Sequence, residues 1–314
     1  MNEKQYEECK NRILTFKELK YNWNDNGADM FSEKVINNSL KLLKYCLYEP
    51  EIFPTACNSI QFEFTNEDNE YFEVEVEKDG FSTFKIYKDN TERTAEYGLD
   101  EYYKIINHIK TFYNGKPKNV VVFTGSFNPP TIAHYNMIDS ALSHKDFDYV
   151  FFALSNNSFL SRKQKRNHDW CFSERERIDM VLEMTYMHPK ALILGVEQGY
   201  TYDVLCEVKS TYNCEQIYFA CGSDKLNEIE RWGKHNLLLT DFNFYVLVRN
   251  DNEKDVETKC ASIFKNTHYI IGKDNEKFKN ISATEVRKCI KQNQDFKGLV
   301  HENVYQYLKE NNLL

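Results

Sequence analysis

The chain has 314 residues, of which 41% are hydrophobic and 28% are charged, a composition typical of a soluble globular protein with two domains. Its formal net charge of −8 argues against a general nucleic-acid-binding protein, and no apolar run is long enough to span a membrane. Nine cysteines without a CxxC pair suit reduced thiols, and the first ten residues do not resemble a signal peptide, so we expect a cytoplasmic protein.

Residues 1–116 are predicted to form a small α+β domain. Helical spacing of apolar residues over 5–22 and from Ser32 is followed by alternating patterns at 60–64 and 72–76 and a third strand-like run at 84–86. A further helix is predicted over residues 99–113. These patterns indicate a meander of about three strands packed with helices.

The same domain shows no chemistry of its own in the sequence. It contains no phosphate loop, no His/Cys cluster with metal-ligand spacing and no nucleophile–base pair. Residues 1–118 hold 16 Lys+Arg and 22 Asp+Glu, a net charge of −6 that would repel ATP and nucleic acid. We therefore expect a regulatory role or a contact with another protein.

The stretch from Val120 to His134 is the most informative part of the sequence. A β-branched and aromatic run indicates a buried parallel strand, and Gly125-Ser126 and Pro129-Pro130 then exclude its continuation. A helix is predicted from Thr131 to residue 143, which puts Thr131 and His134 on one helical face. Such a junction offers backbone N–H groups and a helix N-terminus to a phosphate.

Strands and helices alternate through the rest of the chain. The predicted elements are strands at 149–154, 191–196, 216–221 and 243–249, an apolar stretch at 269–271, and helices at 173–187, 201–212, 282–292 and 300–311. This alternation is typical of an α/β fold, a doubly wound parallel sheet, over residues 117–314.

Two later segments carry further candidate site residues. The strand ending at Gly222 is followed by Asp224, whose carboxylate could accept hydrogen bonds from a ribose or a base, and then by Trp232. Ser282 is a predicted helix N-cap, with Thr284 and Arg287 in the first turns, where hydroxyls and a guanidinium can hold phosphates.

The segment GSFNPPTIAH resembles the (H/T)xGH signature of the adenylyl- and cytidylyltransferases, and is most similar to the nicotinate/nicotinamide mononucleotide adenylyltransferases. The GSD…Trp segment, the ISATEVR segment and the ending GLVHENVYQYLKENNLL resemble further parts of that family, in the same order. The resemblance implies catalytic roles for His134, Thr131 and Arg287, ATP contacts from Gly125, Ser126, Phe127, Gly222, Asp224, Ser282 and Thr284, and mononucleotide contacts from Thr201 and Trp232.

The sequence departs from the family pattern near the expected pyridine pocket. Val204 replaces a hydroxyl residue, and residues 196–199 offer no obvious aromatic side chain to cover the ring. In the loop after Leu154, one residue of the basic cluster, such as Lys163, is expected to neutralise phosphate; the cluster is Arg162, Lys163, Lys165 and Arg166.

The expected activity is transfer of AMP from ATP, with Mg²⁺, to nicotinate or nicotinamide mononucleotide, giving the dinucleotide of NAD biosynthesis and pyrophosphate. The Lys-, Asn- and Tyr-rich composition resembles that of bacterial proteins, and bacterial members of the family usually prefer the acid, nicotinate mononucleotide. Two alternatives stay open: a related adenylyltransferase acting on another phosphate, such as phosphopantetheine, and a non-catalytic nucleotide-sensing protein.

Overall fold

The structure is a computed structural model that describes residues 1–158, 160, 170–197, 199–248, 251–273, 277–278 and 280–313. The chain divides into two compact units, Met1–Gly115 and Lys116–Leu314. The basic cluster of residues 162–166 lies outside the described residues.

The first unit combines helices with a five-stranded antiparallel sheet. Its strands follow one another as a meander in the order β1-β2-β3-β4-β5. The helices are α1 (Glu3–Thr15), α2 (Glu33–Lys44) and α3 (Tyr102–Asn114), and the strands are β1 (Glu51–Pro54), β2 (Ile60–Thr65), β3 (Tyr71–Val76), β4 (Gly80–Ile86) and β5 (Glu92–Gly98). Short 3₁₀ turns occupy Phe16–Glu18 and Leu99–Glu101.

The prediction of about three strands was too low, because the two edge strands have weak sequence patterns. Strand β1 has only four residues and ends at Pro54, and Pro is confined to edges and strand ends. Strand β5 reads ERTAEYG and is mostly exposed, so it lacks the apolar alternation that marks a half-buried strand.

The second unit is built on a six-stranded parallel sheet with helices, which confirms the predicted doubly wound fold. The strands are β6 (Asn119–Gly125), β7 (Tyr149–Ser155), β8 (Ala191–Glu197), β9 (Gln216–Gly222), β10 (Asn243–Val248) and β11 (Tyr269–Lys273). The helices are α4 (Ile132–Leu142), α5 (Glu174–Thr185), α6 (Thr201–Tyr212), α7 (His235–Asp241), α8 (Glu253–Ile263), α9 (Ala283–Lys291) and α10 (Glu302–Glu310), with 3₁₀ segments at Ser223–Arg231 and Lys297–Leu299.

The strand order places a topological switch point beside the first strand of this unit. The sheet runs β11-β10-β9-β6-β7-β8, so the chain moves outward from β6 to β8 and then crosses back to start its second half at β9. In such sheets a crevice opens beyond the carboxyl ends of the two strands at the switch point. The loop after Gly125 and the loop after Gly222 therefore meet at the same crevice.

The core of the second unit is apolar, as the sequence predicts. The central strands β6 and β7 are buried on both faces, and Val120, Val121 and Val122 have no exposed surface. All nine cysteines are free thiols. No described helix is both long enough and apolar enough to cross a bilayer.

Because each unit has its own sheet, the second is expected to fold without the first. A protein shortened to residues 116–314 should keep a cooperative thermal transition and the near-ultraviolet circular dichroism of packed aromatic residues. A fragment that stays soluble but shows neither signal would contradict this division of the chain.

Candidate active site

The imidazole of His134 is oriented by the residue that begins its helix. Thr131 is the N-cap of α4, and its backbone N–H donates to Nδ1 of His134 at 2.9 Å. The Thr131 hydroxyl oxygen also lies 2.9 Å from Nδ1. Because Nδ1 accepts a hydrogen bond from an N–H group, the neutral ring carries its proton on Nε2. His134 therefore presents an N–H donor at its other nitrogen.

The loop after β6 is compact because Phe127 folds back under Gly125. Phe127 has φ = +43°, in the left-handed region that L-residues rarely adopt, and only 2% of its surface is exposed. Its ring makes edge contacts with His134 and Phe152, with centroids 5.0 and 5.4 Å apart. A Cβ atom at Gly125 would lie 3.1 Å from the Phe127 ring, closer than an ordinary van der Waals contact, so the ring would have to shift to admit it.

A cavity of about 270 Å³ opens at the switch point. It is lined by the ends of β6, β9 and β10 and by the segments that follow them, and it brings the first two predicted motifs together. The lining residues from those motifs are Gly125, Phe127, His134, Gly222, Asp224 and Trp232. Trp232 also makes an edge contact with Phe219, at 5.7 Å between ring centroids, which holds the indole at the cavity wall.

The third motif reaches the first through Arg287. Its guanidinium donates to the carbonyl of Asn128 at 2.6 Å and to the Thr284 hydroxyl at 3.2 Å. Ser282 is the N-cap of α9 and accepts a hydrogen bond from the N–H of Glu285 at 3.3 Å, as predicted for this helix start. The start of α9 is thus bonded to the loop that carries Phe127.

The remaining predicted residues do not line this cavity. Thr131 is fully buried and contacts His134. The Ser126 carbonyl accepts a hydrogen bond from the side chain of Arg177. Thr201 is the first residue of α6. Val204, the departure from the family pattern, is 4% exposed and packs in the apolar core with Phe219.

Two residues that tie the site together were missed in the sequence analysis. The side chain of Asn128, which is 2% exposed, donates to the Trp170 carbonyl at 3.1 Å and accepts from the Phe172 N–H at 2.9 Å. Arg177 on α5 is completely buried and donates to the Ser126 carbonyl at 2.7 Å. An Asn before proline resembles an ordinary turn, and an Arg in the run ERERIDM resembles a solvated helix face.

Among the described residues, no group of three or more His, Cys, Asp or Glu side chains could hold a metal ion. The carboxylate in the cavity lining, Asp224, lies 3.4 Å from the Lys225 ammonium group. The described part of the site therefore combines N–H donors, aromatic surfaces and the carboxylate of Asp224.

A parallel sheet with its cavity at the switch point and a histidine at the first helix N-terminus defines a nucleotidyltransferase-like site. The chain belongs to the cytidylyltransferase-like family, whose model matches residues 122–289.

Several relatives match nearly their whole length with the second unit. A probable nicotinate-nucleotide adenylyltransferase of Fusobacterium nucleatum is 27% identical over 197 residues, which cover 61% of this chain and 97% of the relative. A probable nicotinate-nucleotide adenylyltransferase of Caldicellulosiruptor bescii is 30% identical over 203 residues, which cover 62% of this chain and 97% of the relative.

Solved structures share the fold of the second unit. The Plasmodium falciparum nicotinic acid mononucleotide adenylyltransferase complexed with APC has a TM-score of 0.50 at 22% identity, covering 62% of this chain and 96% of that one. The same enzyme complexed with NaAD also has a TM-score of 0.50, at 20% identity, covering 62% of this chain and 97% of that one.

The contact between Gly125 and Phe127 predicts the effect of a single methyl group. Gly125→Ala should lower the free energy of unfolding by about 1–2 kcal/mol, because the buried Phe127 ring must shift to admit the new Cβ. Urea denaturation measures this change. Gly298→Ala is the matched control, since its Cβ would meet no atom within 4 Å, and it should change stability by less than about 0.5 kcal/mol. Equal effects of the two substitutions would refute the packing argument.

Proposed function

We propose that this chain transfers AMP from ATP to nicotinate mononucleotide, forming the dinucleotide and pyrophosphate. The observation that carries the proposal is the shared cavity, where the loop of Gly125 and the oriented His134 face Asp224 and Trp232 across the switch point. The names of the matching relatives support the same reaction and substrate class.

The reaction needs charge stabilisation more than it needs a base. A phosphate oxygen of the mononucleotide attacks the α-phosphorus of ATP, the bond from that phosphorus to its bridging oxygen breaks, and pyrophosphate leaves with the electron pair. The attacking oxygen is already anionic, so no proton has to be removed. The Nε2–H of His134 and the N-terminus of α4 are the donors proposed to stabilise the charge that develops on the phosphates.

Arg287 is proposed to hold the leaving pyrophosphate from the other side of the loop. Its guanidinium is bonded to Asn128 and Thr284, which fixes its position before the ligand arrives. Mg²⁺ bound to the phosphates of ATP would supply further neutralisation of their charge.

Trp232 is proposed to stack on the pyridine ring of the mononucleotide, and Asp224 is proposed to accept hydrogen bonds from ATP. A partly buried indole offers a flat face on which an aromatic ring can stack, and a carboxylate accepts hydrogen bonds from ribose hydroxyls. Thr201, at the start of α6, is proposed to bind the mononucleotide through its hydroxyl and the helix N-terminus.

An assay of pyrophosphate release with ATP, Mg²⁺ and each candidate acceptor tests the proposed reaction. The expected result is turnover with a pyridine mononucleotide, and residues 116–314 alone should keep most of it. Turnover with phosphopantetheine alone would show that the acceptor is phosphopantetheine and not a pyridine mononucleotide. ATP binding without any turnover would favour a nucleotide sensor.

The choice between the acid and the amide substrate is a separate prediction. Nicotinate mononucleotide is expected to have the higher kcat/KM, because bacterial members of the family usually use the acid. Steady-state kinetics with both mononucleotides under the same conditions measures the ratio. A clear preference for nicotinamide mononucleotide would overturn this assignment without affecting the reaction class.

Loss of the His134 side chain should affect chemistry far more than folding. His134→Ala is expected to lower kcat by at least about two orders of magnitude, since it removes a donor to the charge in the transition state. Its melting temperature should stay within a few degrees of the wild type. His144→Ala, beyond the far end of α4, is the control and should keep full activity. A fully active His134→Ala protein would exclude this role.

A further inference from the structure

Arg177 forms a buried bridge between the ends of two parallel strands. Its Nη1 donates to the Ser126 carbonyl at 2.7 Å, just beyond β6, and its Nη2 donates to the Ser155 carbonyl at 2.7 Å, the last residue of β7. Nη2 also lies 3.1 Å from the side-chain oxygen of Asn157. The planar guanidinium therefore fixes the distance between the two strand ends, as a single-point donor could not.

Arg177 forms no ion pair with a carboxylate in the described part of the chain. Among the described residues no acidic side chain lies within ion-pair distance of it, and Nε has no hydrogen-bond partner there. Burial lowers the pKa of the guanidinium, with an opposing effect of Cys171 and Glu174. Burying a cation whose described hydrogen-bond partners are all neutral oxygens costs stability. Packing alone would be served better by an apolar side chain of similar volume.

The bond to Ser126 determines where the next backbone N–H points. The peptide between Ser126 and Phe127 is trans, so its N–H is directed opposite to its carbonyl. With the carbonyl held by Arg177, the N–H of Phe127 is turned away from Arg177. Phe127 and its neighbour Gly125 line the cavity, whereas Arg177 does not.

A second arginine holds the loop two residues later. Arg287 donates a hydrogen bond to the Asn128 carbonyl at 2.6 Å, so the carbonyls of the residues on both sides of Phe127 are bound by guanidinium groups. Both carbonyl oxygens, the negative ends of their peptide dipoles, are therefore directed at guanidinium groups.

We propose that Arg177 is a positioning residue for the triphosphate of ATP: it holds the Ser126 carbonyl so that the loop donors face the phosphates. It touches no substrate itself and acts through the backbone of residues 126–127. The inference rests on the proposed function only in naming ATP as the ligand.

The kinetic consequence differs from that of a residue that only stabilises the fold. Arg177→Gln should raise KM for ATP about tenfold or more and lower kcat, because a loop displaced by even 1 Å loses alignment with the phosphates. KM for the mononucleotide should change less than about twofold, since Trp232, the residue proposed to bind it in the cavity, lies on the other side of the switch point.

The test compares Arg177→Gln, Arg177→Lys and the control Arg175→Gln in the full-length protein. Lysine keeps the charge but cannot bridge both carbonyls. The KM for ATP of Arg177→Lys should therefore be clearly above that of the wild type but below that of Arg177→Gln. Arg175 is exposed on the same helix, and its substitution should leave both KM values unchanged. If Arg177→Gln does not fold, Arg177→Lys decides the question.

Wild-type KM for ATP in a folded Arg177 variant, or an equal rise for both substrates, would overturn the proposal. Titration calorimetry with a non-hydrolysable ATP analogue separates this outcome from failure of the proposed function. If the wild-type protein binds the analogue but transfers no AMP to either mononucleotide, the reaction assignment is wrong, and the affinities of the variants for the analogue still test the role of Arg177.

Discussion

The change of direction between β6 and β9 is the constraint on which the site depends. Crossovers from β6 lead toward β7 and β8, while the second half of the sheet grows from β9 toward β11. No crossover covers the carboxyl ends of this strand pair, so a crevice is left between two loops that are distant in sequence. That geometry brings His134 and Trp232 to one cavity although about a hundred residues separate them.

Within the crevice, the loop after β6 is held mainly through its backbone. Arg177 and Arg287 bind the carbonyls of Ser126 and Asn128, and the Asn128 side chain is bonded to the chain at 170–172. The loop therefore connects α5 and α9 to the first strand. A backbone held at several points can maintain the left-handed conformation of Phe127, which an isolated loop would leave.

The sequence predicted the parts of this arrangement that depend on local patterns. The apolar run before Gly125, the helix start at Thr131 and the N-cap at Ser282 each follow from residue type and spacing, and the structure confirms them. Arg177 could not be predicted in this way, because its burial depends on strands that are far away in sequence. The charged edge strand β5 was missed for a similar reason, since pairing with β4 and not its own pattern makes it a strand.

The departure at Val204 illustrates the difference between a sequence pattern and a site. A hydroxyl lost from a family motif suggests an altered pocket, yet Val204 lies on the buried face of α6 and packs in the apolar core. A side chain there contacts neighbouring core residues, so exchanging a hydroxyl for a methyl group changes packing and removes the need for a buried hydrogen bond. Within the proposed function, the groups that would recognise a mononucleotide at this end are Thr201, at the helix start, and the indole of Trp232.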